Sequence, residues 1–203
     1  MKRTALLRKT PMARASVETA WRECAQCSRV FQRQRPMQAV CGPVCAGRKV
    51  RADKAAKDKA NREMDKAQRE AMKTLPMLHA EARYWFNRWV RLRDADKPCV
   101  SCGKPPPDGS VFQGGRDCGH FRSVGQAGHL RYTPDNAAAQ CVHCNQYLAG
   151  NYTGFRKGQI ERIGIERVDA LENDNRPNQW KKDVVRAIRD EFKALCKALE
   201  GKA

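Results

Sequence analysis

The chain has 203 residues, 31% of them charged, with a formal net charge of +18 and a pI near 9.8. No apolar run reaches the roughly 18–20 residues that span a bilayer, and the N-terminal apolar piece, Ala5-Leu6-Leu7, is too short for the core of a secretory signal. A helical membrane protein is excluded, a cytoplasmic one is expected, and the charge favours a polyanionic partner, nucleic acid before membrane surface.

Residues 1–20 read as a basic tail, with Lys2, Arg3, Arg8, Lys9 and Arg14 against one acid, Glu18. The tail is either a phosphate-binding arm or a solubilising extension. Residues 21–46 carry Cys24-x2-Cys27 and Cys41-x3-Cys45, 13 residues apart. Paired cysteines in a reducing compartment mark metal ligation rather than disulfides. So short and polar a segment lacks a core of its own, and zinc on four thiolates would supply the folding energy.

Residues 47–77 begin Ala-rich and charged, without Pro until Pro76. High helix propensity and no apolar stripe predict an exposed helix or stiff linker, whose cations either follow a nucleic acid or are simply solvated. From 78 the character changes. Leu78, Ala82, Trp85, Trp89 and Leu92 recur at helical spacing, with Tyr84 and Phe86 widening the stripe. This predicts a helix packed on the core, and places a core domain over 78–155.

Within that domain Cys99-x2-Cys102 and Cys141-x2-Cys144 frame a 38-residue loop and form a second candidate zinc site. His120 follows Asp117-Cys118-Gly119 on a predicted strand leaving Gly114-Gly115. Asn136 precedes the second knuckle and Asn145 follows Cys144 directly. A strand His, a loop Asn and a polar residue after the last Cys resemble the order of HNH nucleases. Their chemistry explains the residue types: an imidazole to deprotonate water, and oxygen ligands for a divalent cation that neutralises a phosphate. Arg116, Arg122 and Arg131 flank the segment and suit either phosphate contact or surface solvation. Cys118 is an outside competitor for metal, His129 reads as a loop histidine, and His143 lies inside a knuckle facing outward.

Residues 156–203 read as a helical C-terminal extension. Ile160, Ile163, Val168 and Leu171 suggest one helix. After a break at 173–177, Trp180, Val184, Ile188, Phe192, Leu195 and Leu199 suggest another, packed on the core or used for self-association. Cys196 reads as a buried thiol.

The basic start, the first cysteine quartet, the charged helix, PCVSCG at 98–103, Asp117–Phe121 and QCVHCNQ at 140–146 with Gly150-Asn151 resemble the phage NinG recombination proteins over nearly the whole chain. More distantly, the core resembles resolvases of the endonuclease VII type. The resemblance implies an α+β fold: a zinc-stapled ββα-metal (HNH-like) core with an N-terminal four-cysteine zinc finger and helical extensions. It implies two structural Zn²⁺ and a catalytic Mg²⁺ or Mn²⁺. His120 would be the general base, Asn145 a metal ligand and Asn136 the residue that orients His120. Such enzymes carry Asp immediately before the His. Here that position is Gly119, so Asp117 becomes the candidate metal ligand, or else a structural carboxylate. The implied activity is cutting of branched recombination intermediates in the host-cell cytoplasm, on branched or duplex DNA. A homodimer would pair the cuts, and phage or host recombination proteins are possible partners. The rival is a non-catalytic, zinc-dependent DNA-binding accessory factor.

Overall fold

The computed structural model describes residues 21–106 and 115–201. The expected tail (residues 1–20) and Gly114 of the turn before His120 lie outside them. The chain divides into two compact units, one ending at Met72 and the other starting at Lys73. Among the described residues no helix is long and apolar enough to cross a membrane.

The first unit is a hairpin of β1 (Trp21–Glu23) and β2 (Val30–Gln32), followed by the 29-residue helix α1 (Pro43–Ala71). Its core is minimal: Cys24, Phe31 and Cys45 are buried, with Val40 and Cys41 packed on them. Cys45 is the only buried residue of α1, so the helix stands in solvent beyond its first turn.

The second unit has three layers. The middle layer is the antiparallel pair β3 (Arg116–His120) and β4 (Ala137–Cys141), in register with His120 opposite Ala137 and Arg116 opposite Cys141. One face carries α2 (Leu75–Arg93) and α5 (Lys182–Glu200), and the other carries α3 (Tyr152–Ile163) and α4 (Ile165–Asn173). Every residue of β4, AAAQC, is buried, because helices cover both faces; its one long side chain, Gln140, is fully buried and donates from Nε2 to Ser101 Oγ and the Gly150 carbonyl. Ala137 joins the α2/α5 core and Ala138 the α3/α4 core, as strand alternation requires.

Several expected faces rotate. On α2 the buried row is Leu78, Ala82, Phe86 and Val90, while Trp85 and Trp89 flank it and Tyr84 is exposed. On α5 it is Val185, Arg189, Phe192 and Cys196, not Val184 and Leu195, which are exposed. In both helices a row at i, i+3 or i+4 spacing fills the seam between α2 and α5. The single helix expected over 160–171 is two, broken at Gly164, whose φ of 86° is left-handed. Helix α5 lies on the core rather than extending from it. Cys196 is fully buried, its thiol donating to the Trp85 carbonyl at 3.5 Å.

The residue that ends α2, Asp94, ties the layers together. It is 1% exposed and accepts from Arg93, Lys97, Arg162 of α3 and the Ala139 N–H of β4, at 2.7–3.2 Å. Burial pushes its carboxyl up, but the Arg93 and Lys97 cations and the Ala139 N–H overcome that and hold it at about 2. Asp94→Ala strands Arg162 without its counter-ion and should lower stability by about 3–5 kcal/mol in thermal or urea denaturation. A loss under about 1 kcal/mol would refute the assignment. Because the folded pKa is depressed, the contribution is complete above the ordinary aspartate range and disappears as pH falls through about 2. The variant's deficit should therefore shrink between about pH 4 and 2.

Candidate metal centres and the His120 cavity

The two cysteine quartets, Cys24/Cys27/Cys41/Cys45 and Cys99/Cys102/Cys141/Cys144, each gather with all four sulfurs within 4.8 Å of one another. The Sγ pairs Cys27–Cys41, Cys41–Cys45 and Cys102–Cys141 lie 3.7, 3.6 and 3.8 Å apart. A tetrahedron with Zn–S bonds of about 2.3 Å has edges of about 3.8 Å, so both quartets fit structural zinc. Backbone N–H groups point at the sulfurs: Cys41 N to Cys24 Sγ at 3.3 Å, and Cys141 N to Cys99 Sγ at 3.2 Å. Burial pushes the Cys99 thiol up, yet N–H groups of Cys141, Cys102 and Ser101 draw it down to about 7, towards the thiolate a metal needs.

The second quartet is built from three pieces. Cys99 and Cys102 sit on a tight turn closed by Gly103 at φ 71°. Cys141 ends β4, and Cys144 lies in the π-helical turn His143–Tyr147. Asn151, itself left-handed, donates from Nδ2 to Cys144 Sγ at 3.5 Å and caps α3 through Gly154 N, linking the cysteine cluster to the helix. Helix α3 presses directly on the knuckle: a Cβ at Gly154 would meet the Ser101 carbonyl at 2.3 Å, and one at Gly158 the Val100 carbonyl at 1.9 Å.

His120 ends β3 on the α2/α5 side, its ring centroid 6.0 Å from that of Phe86. Nε2 lies 3.0 Å from the Arg131 carbonyl. A carbonyl only accepts, so the ring proton sits on Nε2 and Nδ1 keeps its lone pair. Burial lowers the imidazole pKa, the Arg131 charge lowers it further, and the carbonyl bond offsets them only in part. The ring is therefore neutral at neutral pH and able to take a proton. Asn136 is fully buried and clamps the loop behind it: Oδ1 accepts from Arg122 N at 2.9 Å, and Nδ2 donates to the carbonyls of Arg122 and Leu130 at 3.0 and 3.2 Å. Arg122 lies two residues after His120 and Leu130 directly precedes Arg131, so Asn136 positions both partners of the His120 hydrogen bond.

Beside His120 opens a cavity of about 140 Å³ lined by Arg83, Asn87, Val124, Arg131 and Tyr132. Arg131 Nε and Asn87 Oδ1 are buried there without a hydrogen-bond partner among the described residues. Two guanidinium groups beside a neutral imidazole suit an anion. The sequence reading missed Arg83 and Asn87. The only signal was their i, i+4 spacing beside the apolar row of α2, which any solvated helix face shares.

The other candidates lie elsewhere. Asp117 accepts from Asn145 Nδ2 at 2.9 Å and from Gln146 Nε2 at 2.8 Å. The structure thus brings Asp117 and Asn145 together, but on the α3 side of β3, opposite Gln140. Three residues along a strand place them on the opposite face from His120, about 10 Å further along. This donor set does not fit an Mg²⁺ or Mn²⁺ ion sharing one phosphate with His120. Apart from the two cysteine quartets, no group of three His, Cys, Asp or Glu side chains gathers among the described residues to hold a metal. The departure at Gly119 has a steric cause: a Cβ there would meet Gln140 Oε1 at 2.3 Å and the Phe155 ring at 3.0 Å.

Of the three flanking arginines, only Arg131 reaches the cavity. Arg116 donates to the Lys104 carbonyl at 2.9 Å, bracing the knuckle. Arg122 is committed to the C-terminal end of α4, donating to the carbonyls of Leu171, Glu172 and Asp174 and to Asn175. Phosphate contact by Arg122 would forfeit those bonds. Cys118 packs against the α2/α5 core, where burial pushes its thiol up to about 12, and it lies outside both quartets. His129 lies 3.0 Å from the Asp174 carboxylate, and His143 is exposed and stacks on Tyr147.

The chain matches the family described as Bacteriophage Lambda NinG protein over residues 17–202. It is 33% identical over 200 residues to Protein ninG of Salmonella phage P22, covering 90% of this chain and 95% of that one. To Protein ninG of Escherichia phage lambda it is 32% identical over 175 residues, covering 78% and 82%. No solved structure matches.

Proposed function

The chain belongs to the phage NinG family, and on that footing we propose that it is a DNA endonuclease cutting branched recombination intermediates, with His120 as general base. One observation carries the reading: a neutral imidazole, its tautomer held by the Arg131 carbonyl, opens onto a cavity with two arginines. Nδ1 is the atom that accepts a proton from water. The Nε2–H···O=C bond strengthens as the ring becomes a cation, which favours proton transfer at the moment of attack. Arg83 and Arg131 offset the charge that builds on the phosphate. On this reading, base and charge stabilisation come from this chain's own residues. The branch preference rests on the family resemblance, and the rival reading of a DNA-binding accessory factor needs neither His120 nor its cavity.

The deciding experiment incubates the full chain with a four-way junction, a flap, a linear duplex and a single strand, with Mg²⁺, with Mn²⁺ and with chelator. Cutting of the branched forms, reduced at least about tenfold in Arg83→Gln and Arg131→Gln, is the expected result. Tight binding of all four forms with no cut in any condition would establish the accessory-factor reading instead.

A further inference from the structure

Helix α1 carries nine Lys or Arg and five Asp or Glu, and their placement is not mixed. At about 100° per residue, Arg48, Arg51, Lys59, Arg62, Lys66 and Arg69 fall within an arc of about 80°. The only other residue in that arc between Arg48 and Arg69 is Ala55. All five acids, Asp53, Asp58, Glu63, Asp65 and Glu70, lie outside it, with Lys49, Lys54 and Lys57. The six are exposed. Asp58, Glu63, Asp65 and Glu70 stand four residues from Arg62, Lys59, Arg69 and Lys66, close enough for helical ion pairs. Yet among the described residues none of the six is ion-paired, while Lys49, off the stripe, pairs with Asp53 at 2.9 Å.

We propose that this stripe is a rail for duplex DNA, each cation set against a backbone phosphate. From Arg48 to Arg69 the helix rises about 32 Å, close to the roughly 34 Å of one duplex turn. Within its unit the rail is anchored at one end, by Cys45 in the first cysteine quartet, and the stripe is otherwise open to a ligand. Its chemistry selects among polyanions. Single-strand binders stack bases on aromatic side chains, and α1 contains none. Membrane-surface helices bury an apolar face, and α1 has no such face. The rail shares the nucleic-acid part of the function proposed above, but not cleavage.

The test compares two charge-matched variants of the full chain. Arg51→Gln/Arg62→Gln/Lys66→Gln removes three stripe cations, and Lys49→Gln/Lys54→Gln/Lys57→Gln removes three cations elsewhere on the same helix. Glutamine keeps helix propensity, and circular dichroism checks that both match the parent. The measurement is anisotropy of a labelled 20-base-pair duplex across roughly 50–200 mM salt. At about 0.9 per phosphate, the stripe variant should show a log–log salt slope shallower by about 2–3, while the off-stripe variant keeps the parental slope. Equal changes in both variants would mean diffuse charge and overturn the rail, as would no change in either. A larger stripe effect on a single strand than on the duplex would overturn the assignment of its ligand. Because the readout is binding, a chain that cuts nothing yet shows the stripe effect refutes the nuclease proposal alone. A chain that cuts branched DNA without the stripe effect refutes the rail alone.

Discussion

Replacing His120 with alanine will lower cleavage of a four-way junction by about 10²–10⁴ while leaving junction affinity within a few-fold of the parent, because the variant loses the base but none of the cationic surface. The ring sits at the edge of the α2/α5 core against Phe86, so a parallel His120→Gln variant keeps most of its volume and separates chemistry from packing. The pH profile adds a second reading. Burial and the Arg131 charge hold the imidazole below its ordinary value. A base works only when neutral, so activity should persist to lower pH than an ordinary histidine allows and fall as pH drops through that lowered value. Asn136→Ala should move in the same direction by freeing the loop that carries the Arg131 carbonyl, and its loss should lie in turnover rather than in binding. Near-parental cutting by His120→Ala would end the proposal.

Cys99→Ser should unfold the second unit outright. A structural zinc on four thiolates is worth about 10–16 kcal/mol in small domains, whereas a folded domain's net margin is only about 5–15 kcal/mol. The quartet joins three pieces of the second unit: the Cys99–Cys102 turn, the end of β4 and the turn before α3. The backbone there is already in contact through Val100 N to the Ala139 carbonyl, with α3 pressed on Val100 and Ser101 through Gly158 and Gly154. Loss of the cluster therefore removes the floor on which α3 rests. Metal analysis of the parent should return two zinc per chain, and fewer than about 1.5 would contradict the paired-site reading. Cys24→Ser should behave differently. The first unit is separate from the unit that holds His120, so that variant should lose one zinc, keep the main thermal transition and weaken DNA binding instead. A native-like melting curve for Cys99→Ser would show that the helical layers hold without the metal.

The sequence alone determined what depends on local spacing. Ligand pairs two or three residues apart specify knuckles whatever surrounds them, and both quartets assemble from the cysteines their spacing indicated. The charged run formed an exposed helix, since no apolar residue recurs to bury it. The hydrophobic period located α2 and α5 and part of their buried rows, Leu78, Ala82, Phe86 and Phe192, but not Val90 or Val185, because Trp and Leu at neighbouring positions cover the same stripe until a partner chooses. Tertiary structure decided the rest, for reasons of face and reach. His120 and Asp117 are three residues apart in sequence, yet strand alternation turns them to opposite layers, and Gly119 between them has no room for a side chain. Arg122, flanking the site in sequence, is drawn to the end of α4 some 50 residues on. Arg83 and Asn87, more than 30 residues before His120, reach its cavity because α2 crosses that face of β3. A motif names the residue types that chemistry needs. Which of them share a cavity is set by packing between elements far apart in the chain, and local sequence does not encode it.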